Sequence, residues 1–492
     1  MDIQEVTAQR RSVRFGARRE LRRNLLPSPL ATRLTLVAVD LLMIALAAAS
    51  AIAIWFPIQP LADPAHFLRL WPLVLVVPLG FWFLGLYPAA GVSAVVELRR
   101  TSLFVSAVFG STVSALFLTH EVAAASRGFF LLAWLFMVPL IPIGRAGVRT
   151  LFARRNWWGL PALVLGAGRT AELLLTSLRQ DPSLDLKVLG CLDDDPVKRD
   201  DELAGVPVVG RLVDAPRLQR AWGVKYGIVA MPGVHPERLE AVVRRYAHVF
   251  PHLIVVPNVF GLSSLGVGTR DLGGVVGLYN KQNLLLRHNR VLKRVMDLLL
   301  LVPMGLVALP VIVLAALAVF VVSPGNPFYA QRREGFRGRP VYVWKLRTMR
   351  RNADAHLDRY LVEHPEAQAE WQKHFKLTRD PRVLPYIGAL LRRSSLDELP
   401  QLLNILKGEM SFVGPRPFPY YHLEQFREDF RRLRTSVLPG LTGQWQVTSR
   451  STADLAAQER LDTYYIRNWS LWMDVYLIAR TPWAVLFGKG AY

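Results

Sequence analysis

Val295-Met-Asp297-Leu-Leu-Leu-Leu-Val-Pro303-Met-Gly-Leu-Val-Ala-Leu-Pro310-Val-Ile-Val-Leu-Ala-Ala-Leu-Ala-Val-Phe320-Val-Val322 is an apolar run of 28 residues. About 20 helical residues cross a hydrocarbon core of roughly 30 Å, so the run is long enough to span. Its flanks argue against a simple crossing. Arg287, Arg290, Lys293 and Arg294 precede it, and Arg332, Arg333, Arg337 and Arg339 follow. Basic flanks stay on the cytoplasmic side, and here both flanks are basic. Pro303 and Pro310 each remove a helical donor and kink or break the helix. The reading is a re-entrant segment over 295–322, a helix, a membrane break at Pro310 and a second helix that returns to the same side. The freed backbone groups then need partners from side chains or other protein. A single kinked crossing is the alternative. Asp297 stands one turn from Lys293 and Arg294 and would pair with them at the membrane interface.

Toward the N-terminus the same rules give a bundle. Residues 1–30 form a basic tail carrying Arg10, Arg11, Arg14, Arg18, Arg19, Arg22 and Arg23, with no cleaved signal expected. Residues 31–150 hold four apolar blocks, Leu34–Pro57, Leu68–Tyr87, Thr101–Thr119 and Gly128–Ile143, edged by Trp55, Trp71, Tyr87 and Trp134. Four such blocks with interfacial aromatics predict four transmembrane helices. Arg99 and Arg100 in the second loop, and Arg145 to Arg155 after the fourth block, place both ends of the bundle in the cytoplasm. Asp40 inside the first span is either a functional group or a hydrogen-bonded packing residue.

Residues 155–280 change character. Pro161 to Leu165, Asp185 to Asp193, Tyr226 to Met231 and Leu253 to Pro257 read as strands, with a helix over Pro236–Phe250. Strands alternating with helices predict a Rossmann-like parallel α/β module. Gly166-Ala-Gly168-Arg-Thr-Ala171 matches the dinucleotide-type turn, with Asp193 or Asp194 at ribose distance along the chain. The same glycines serve strand–helix packing with no ligand, so a bound nucleotide is left open. The formal net charge of +22 suits anionic lipid or phosphorylated substrates. The positive charge flanks apolar segments, so no nucleic-acid partner is expected. The single Cys191 excludes an intramolecular disulfide framework.

The last third carries the chemistry. Arg392-Arg393-Ser-Ser395-Leu-Asp397-Glu398-Leu-Pro-Gln401 sets two adjacent carboxylates among arginines. A carboxylate can attack phosphorus and form an acyl phosphate, and arginines hold the phosphates it attacks. Adjacent carboxylates cannot point the same way on a helix, so Asp397 is the expected nucleophile and Glu398 tunes, binds metal or handles a proton. A surface acidic pair bridged to arginines is the bland reading of this stretch alone. Gly414-Pro415-Arg416-Pro417 presents a further arginine on a rigid loop, and Trp469, Trp472 and Trp483 suit either headgroup burial or ordinary core.

Residues 290–492 resemble the catalytic domain of the bacterial polyprenyl-phosphate sugar-1-phosphate transferases, the large monotopic phosphoglycosyl transferases. The matching pieces are Lys293-Arg294-x-x-Asp297, the proline-interrupted run, Lys345-Leu-Arg347-Thr-Met349, Asp380-Pro-Arg382, Ser395 to Gln401, Val413 to Pro417 and Pro439 to Gly443. The ending Asn468-Trp-Ser-Leu-Trp472 is most similar to the undecaprenyl-phosphate galactose phosphotransferases. The chain departs from the family's pattern in having Leu309-Pro310 for Ser-Pro at the break, and Glu409 for Asp before Met410-Ser411. The resemblance implies membrane α-helices joined to an α/β module and a mostly helical catalytic domain. It implies that Asp397 takes a hexose 1-phosphate from a UDP-hexose, releases UMP, and passes it to undecaprenyl phosphate. Galactose is preferred over glucose. Mg2+ would be held at Asp397 and Glu398. Arg392 and Arg416 would hold nucleotide phosphate, with Lys345, Arg347, Arg382 and Asp462 in support. The setting would be the bacterial inner membrane, catalytic domain on the cytoplasmic face, among membrane lipids; a homodimer is compatible with it. Two rival readings are a non-catalytic scaffold or regulator of polysaccharide assembly, and a polytopic transporter.

Overall fold

The computed structural model describes residues 27–58, 71–88, 90–118, 127–181, 184–198, 201–257, 267–271, 276–280, 283–350, 353–368, 377, 380–423, 426–448 and 455–487. Its contacts divide the chain into two compact units, Met1–Phe260 and Gly261–Tyr492. The basic arginines of the tail lie outside the described residues.

The first unit opens with α1 (Pro29–Trp55), whose first turn is capped by the Ser28 hydroxyl accepting from the Ala31 amide at 3.3 Å. It continues through α2 (Trp71–Phe83), α3 (Ala94–Leu118) and α4 (Arg127–Phe152). Helices α1 and α4 are long and apolar enough to cross a membrane. Helix α3 has the length, but Glu97, Arg99 and Arg100 sit in its first turns; α2 is described over only 13 residues. Leu36, Ile44, Phe81, Leu86, Val105 and Ile141 fill the space between these helices. Asp40 resolves as a packing residue. It accepts from the Arg145 guanidinium at 2.8 and 2.5 Å and from the Tyr87 hydroxyl. Arg145 also reaches Glu97 at 2.7 Å, Glu97 pairs with Arg149, and Arg149 reaches Asp185 at 3.0 Å. Buried as they are, the charges satisfy one another.

The α/β module of this unit runs β1 (Leu160–Leu165), α5 (Arg169–Gln180), β2 (Leu186–Leu192), β3 (Glu202–Leu203), β4 (Val206–Gly210), α6 (Ala215–Trp222), β5 (Tyr226–Val229), α7 (Pro236–Tyr246) and β6 (His252–Val255). Strand order is β3-β4-β2-β1-β5-β6, parallel except for the antiparallel two-residue edge strand β3. Sequence reading passed over the two-residue β3 and over β4, whose Pro207 speaks against a strand. The glycine turn follows β1 as expected, with Gly166 at φ 104°. Asp193, however, turns inward: its Oδ2 accepts from the Ala167 amide at 2.7 Å and pairs with Lys198 at 3.3 Å. Asp194 accepts from the Leu212 amide. The Ala167 amide is thus already used by the chain itself.

The second unit begins with the hairpin β7 (Val267–Asp271) and β8 (Val276–Asn280). Helix α8 (Arg287–Val322) follows, and here the expected helix–break–helix is corrected. The segment is one uninterrupted helix of 36 residues with Pro303 and Pro310 inside it. A proline forfeits one hydrogen bond, and the intact bonds on either side carry the helix through. The expected pairing of Asp297 with Lys293 and Arg294 is also corrected, because all three turn into the domain. Lys293 Nζ donates to Asp474 at 2.6 Å and to the Val413 carbonyl at 2.9 Å. Arg294 donates to the carbonyls of Ile405 and Leu406, and Asp297 accepts from Ser411 and the Phe412 amide. At the other end Ala315, Ala316 and Val319 pack on Leu346, Leu384 and Leu391. Between these anchors Leu299, Val302, Leu306, Val307 and Leu309 are exposed.

Strands β9 (Phe328–Glu334) and β10 (Pro340–Leu346) pair antiparallel. Helices α9 (Ala353–Glu363) and α10 (Ile387–Arg393), a 3-10 turn over Leu396–Gln401, and α11 (Leu402–Lys407) lead to β11 (Ser411–Val413). Then come α12 (Tyr420–Leu423), α13 (Glu428–Thr435), β12 (Gly440–Thr442), α14 (Gln444–Thr448), α15 (Leu455–Asn468) and α16 (Leu471–Phe487), with β11 and β12 parallel. Of the tryptophans, Trp469 is core and donates to Asp474 at 2.9 Å, whereas Trp483 is exposed.

Candidate active site

The site grows from the end of α10. Ser395 adopts φ 56° and ψ 19°, a left-handed conformation that stops the α-helix. Leu396–Gln401 then winds as a 3-10 turn, in which successive side chains diverge by about 120°. Asp397 and Glu398 therefore face different surroundings despite being neighbours. Buried Asn404 docks the following helix on β10, accepting from the Trp344 amide at 3.2 Å and donating to the Tyr342 carbonyl at 2.8 Å. That contact sets Lys345 beside the turn.

Glu398 is fully engaged. Lys345 Nζ donates to its Oε1 at 2.7 Å, and Arg416 donates to Oε1 at 2.6 Å and to Oε2 at 3.4 Å. Burial disfavours its charge, but Arg416 and Lys345 outweigh burial and hold the carboxyl far below the usual range. Burial also lowers the Lys345 ammonium, against the pull of Glu398. Asp397 is the opposite case. It is 9% exposed, and its carboxylate accepts no hydrogen bond among the described residues. Burial pushes its pKa up; Lys345, Arg416 and Arg392 oppose the rise, and the neighbouring Glu398 charge adds to it.

Arg416 is held by backbone that only glycine permits. The Gly414 amide donates to the Thr442 carbonyl and the Gly440 amide to the Pro415 carbonyl, both at 2.9 Å. A Cβ on Gly440 would strike the Gly414 backbone. Arg434 donates to the Arg416 carbonyl, and Arg434 Nε lies 3.1 Å from Asp462. Arg333 donates to the Pro417 carbonyl at 2.6 Å.

Of the residues expected at the site, Asp397, Glu398, Lys345 and Arg416 come together. Arg392 donates to the Thr348 hydroxyl at 3.0 Å, and its charge acts on Asp397. The others stand further out. Arg347 donates to the Ser323 carbonyl and braces the end of α8. Arg382 forms a bidentate pair with Asp380 in its own loop. Asp462 is buried against Arg434, and burial pushes it up to about 6 despite that cation, so it reaches the site only through the loop that carries Arg416. Sequence reading missed Tyr329 and Arg333. Tyr329 is the cross-strand partner of Lys345 and Arg333 that of Val341. Cross-strand partners share a sheet face, so both lie on the face that bears Lys345. The phenol of Tyr329 feels burial and then the charge of Asp397. The alternation of β9 held that signal, but only the register of β9 on β10 reveals it.

The described residues include no cluster of three His, Cys, Asp or Glu side chains fit to hold a metal. Both Glu398 oxygens are committed to cations. Asp397 alone offers a free carboxylate, which fits an ion that keeps its waters and takes most other oxygens from substrate phosphates.

Comparison with known proteins agrees with this geometry. Residues 288–488 match the family model described as bacterial sugar transferase, and residues 83–257 match one described as CoA-binding domain. The UDP-galactose-lipid carrier transferase of Erwinia amylovora is 33% identical over 405 residues, covering 80% of this chain and 82% of that protein. The undecaprenyl-phosphate galactose phosphotransferase of Salmonella typhimurium is 32% identical, covering 75% and 76%. The exopolysaccharide production protein ExoY of Sinorhizobium fredii is 41% identical over 204 residues, which are 41% of this chain and 88% of that protein. With similarity over three quarters or more of both chains and the Asp397–Glu398 turn within it, the chain belongs to the bacterial sugar transferase family.

Proposed function

We propose that this membrane enzyme transfers hexose 1-phosphate from a UDP-sugar to undecaprenyl phosphate and so starts a surface polysaccharide, an O-antigen, capsule or exopolysaccharide. A carboxylate oxygen of Asp397 forms a bond to the β-phosphorus, the bond from that phosphorus to the bridging oxygen breaks, and UMP leaves with the electron pair. A phosphate oxygen of undecaprenyl phosphate then attacks the same phosphorus and frees the Asp397 carboxylate. The observation that carries this reading is the unequal partnering of the two carboxylates. Glu398 is bound by Lys345 and Arg416, while Asp397 is buried, unpartnered and ringed by cations. A carboxylate whose lone pairs no protein donor holds is a stronger nucleophile than a clamped one, and it needs no base to activate it. Arg416 and Arg392 stabilise charge on the donor's phosphates. Mg2+ on the donor diphosphate, touching Asp397, would add further neutralisation. Galactose is taken ahead of glucose because two of the similar proteins carry galactose in their names.

Helix α8 is read as one continuous helix bent at Pro303 and Pro310, so that it dips into one leaflet and both ends stay on the same side. A straight helix rises about 33 Å between residues 297 and 319, yet both ends are held by the same unit and the stretch between them is exposed and apolar. The catalytic unit then sits on the cytoplasmic face of the bacterial inner membrane, where soluble donor and lipid acceptor meet. Four membrane crossings in the first unit complete the arrangement. The test is mass spectrometry of the protein incubated with UDP-galactose alone. A hexosyl-phosphate adduct is expected on the peptide containing Asp397, and an unmodified peptide after UMP release would refute the assignment.

A further inference from the structure

The first unit contains a cavity of about 320 Å³ that the transfer reaction does not use. It lies between the first turn of α1 and the starts of β1, β5 and β6, at the end of the sheet opposite the Gly166 turn. Two hydrogen bonds fix this junction: the Ser28 amide donates to the Trp157 carbonyl at 2.7 Å and the Gly159 amide to the Thr32 hydroxyl at 3.0 Å. Arg33, Lys225 and His252 converge on the cavity, and no carboxylate lines it. The Arg33 Nε is buried with no acceptor among the described residues, and its guanidinium lies 5.7 Å from the Trp82 ring. Tyr226 and His252 stack at 4.6 Å and form one wall. Cationic donors with no internal anion call for an external one.

The surroundings select the kind of anion. Arg33 lies in the second turn of a helix long and apolar enough to cross the bilayer, so the cavity is at the level of the headgroups. Leu30 and Leu34 beside it are 65% and 60% exposed, and Leu42 two turns further on is 60% exposed. Residues four apart share a helix face, so an apolar stripe descends from the cavity along α1. A free phosphate would use only the cationic end. A lipid uses both, and anionic headgroups attract cations near the surface. We infer that this cavity seats the phosphate of an anionic phospholipid, whose acyl chain lies along the outer stripe of α1.

The test uses the full chain in nanodiscs of phosphatidylcholine alone or with phosphatidylglycerol. Native mass spectrometry counts retained phosphatidylglycerol, and thermal unfolding reports stabilisation. The intact protein is expected to gain thermal stability with phosphatidylglycerol. The R33Q/K225Q variant is expected to lose that gain and to retain phosphatidylglycerol roughly thirtyfold less well, two cations at headgroup level being removed. K225Q and H252Q, at exposed positions, are expected to weaken retention singly, and an unchanged unfolding midpoint in phosphatidylcholine alone confirms that all variants are folded. Because the basic tail attracts anionic lipid too, R18Q/R19Q serves as the control and is expected to keep the gain. Equal retention by R33Q/K225Q overturns the proposal. So does inorganic phosphate, added to the phosphatidylcholine nanodiscs, producing the same gain.

Discussion

Asp397 and Glu398 share a turn and differ in every partner, and their pH behaviour follows. Asp397 has a pKa raised by burial, so its attacking form disappears as pH falls through a value above the ordinary carboxylate range. The acid limb of kcat/KM is expected there, and Arg392→Gln, by removing a cation that favours the carboxylate, should move it to still higher pH. A limb that moves down would contradict the assigned role. The same burial means that ionised Asp397 opposes folding above its unfolded-state pKa. Asp397→Asn should therefore lose roughly 10⁴-fold or more in UMP release while its Tm rises rather than falls. Glu398 has the opposite sign. Its depressed pKa contributes stability that is present above about pH 4.3 and lost as pH falls through the folded value. Glu398→Gln leaves buried Lys345 and partly buried Arg416 without their anion and should cost about 3 kcal/mol, read as a lowered unfolding midpoint at neutral pH with the acid dependence flattened.

At the scale of elements, helix α8 shows what sequence could and could not reveal. Its length, its basic flanks and both prolines were legible, because hydropathy and charge are properties of residues. Its continuity was not, because a proline's effect depends on whether the neighbouring bonds hold. The direction of Lys293, Arg294 and Asp297 was also hidden: spacing put them on neighbouring turns, but their partners Asp474, Ile405 and Ser411 come from more than a hundred residues away. The Asp397–Glu398 turn was legible for the same reason as the apolar run, and Tyr329 was not, since it acts through strand register. A helix that enters and returns must keep both ends on one side. Single cysteines at residues 288 and 325, in a Cys191→Ala background, should both resist a membrane-impermeant maleimide applied to intact spheroplasts and both react after lysis. Labelling of one site from outside would establish a crossing instead. Pro303→Ala with Pro310→Ala restores two helical donors, each worth about 3 kcal/mol of helix preference. It should straighten the helix, pull Val319 from Leu346 and Leu384, and lower UMP release without touching Asp397.

For the whole molecule, the question is which unit the chemistry needs. Every group assigned a part in the transfer, from Lys293 to Asp462, belongs to the unit Gly261–Tyr492. That unit has its own buried clusters, one around Val319, Leu346 and Leu391 and another around Phe418, Phe430 and Trp445. The first unit has a separate core and its own buried ion chain from Asp40 to Asp185. The similarity to ExoY points the same way, since it covers 88% of that protein with 41% of this chain. A fragment of residues 281–492, expressed in membranes, should therefore fold and release UMP from the UDP-sugar with kcat/KM within about tenfold of the full chain, a loss of no more than about 1.4 kcal/mol in transition-state stabilisation. Its thermal stability should no longer rise with phosphatidylglycerol, because the lipid cavity is gone. An inactive fragment that nonetheless unfolds cooperatively would show that the first unit supplies something to the reaction itself, and the separation of roles argued from the cores would fail. Loss of both folding and activity would instead place the failure in the fragment's stability, and Asp397→Asn in the full chain then decides the chemistry.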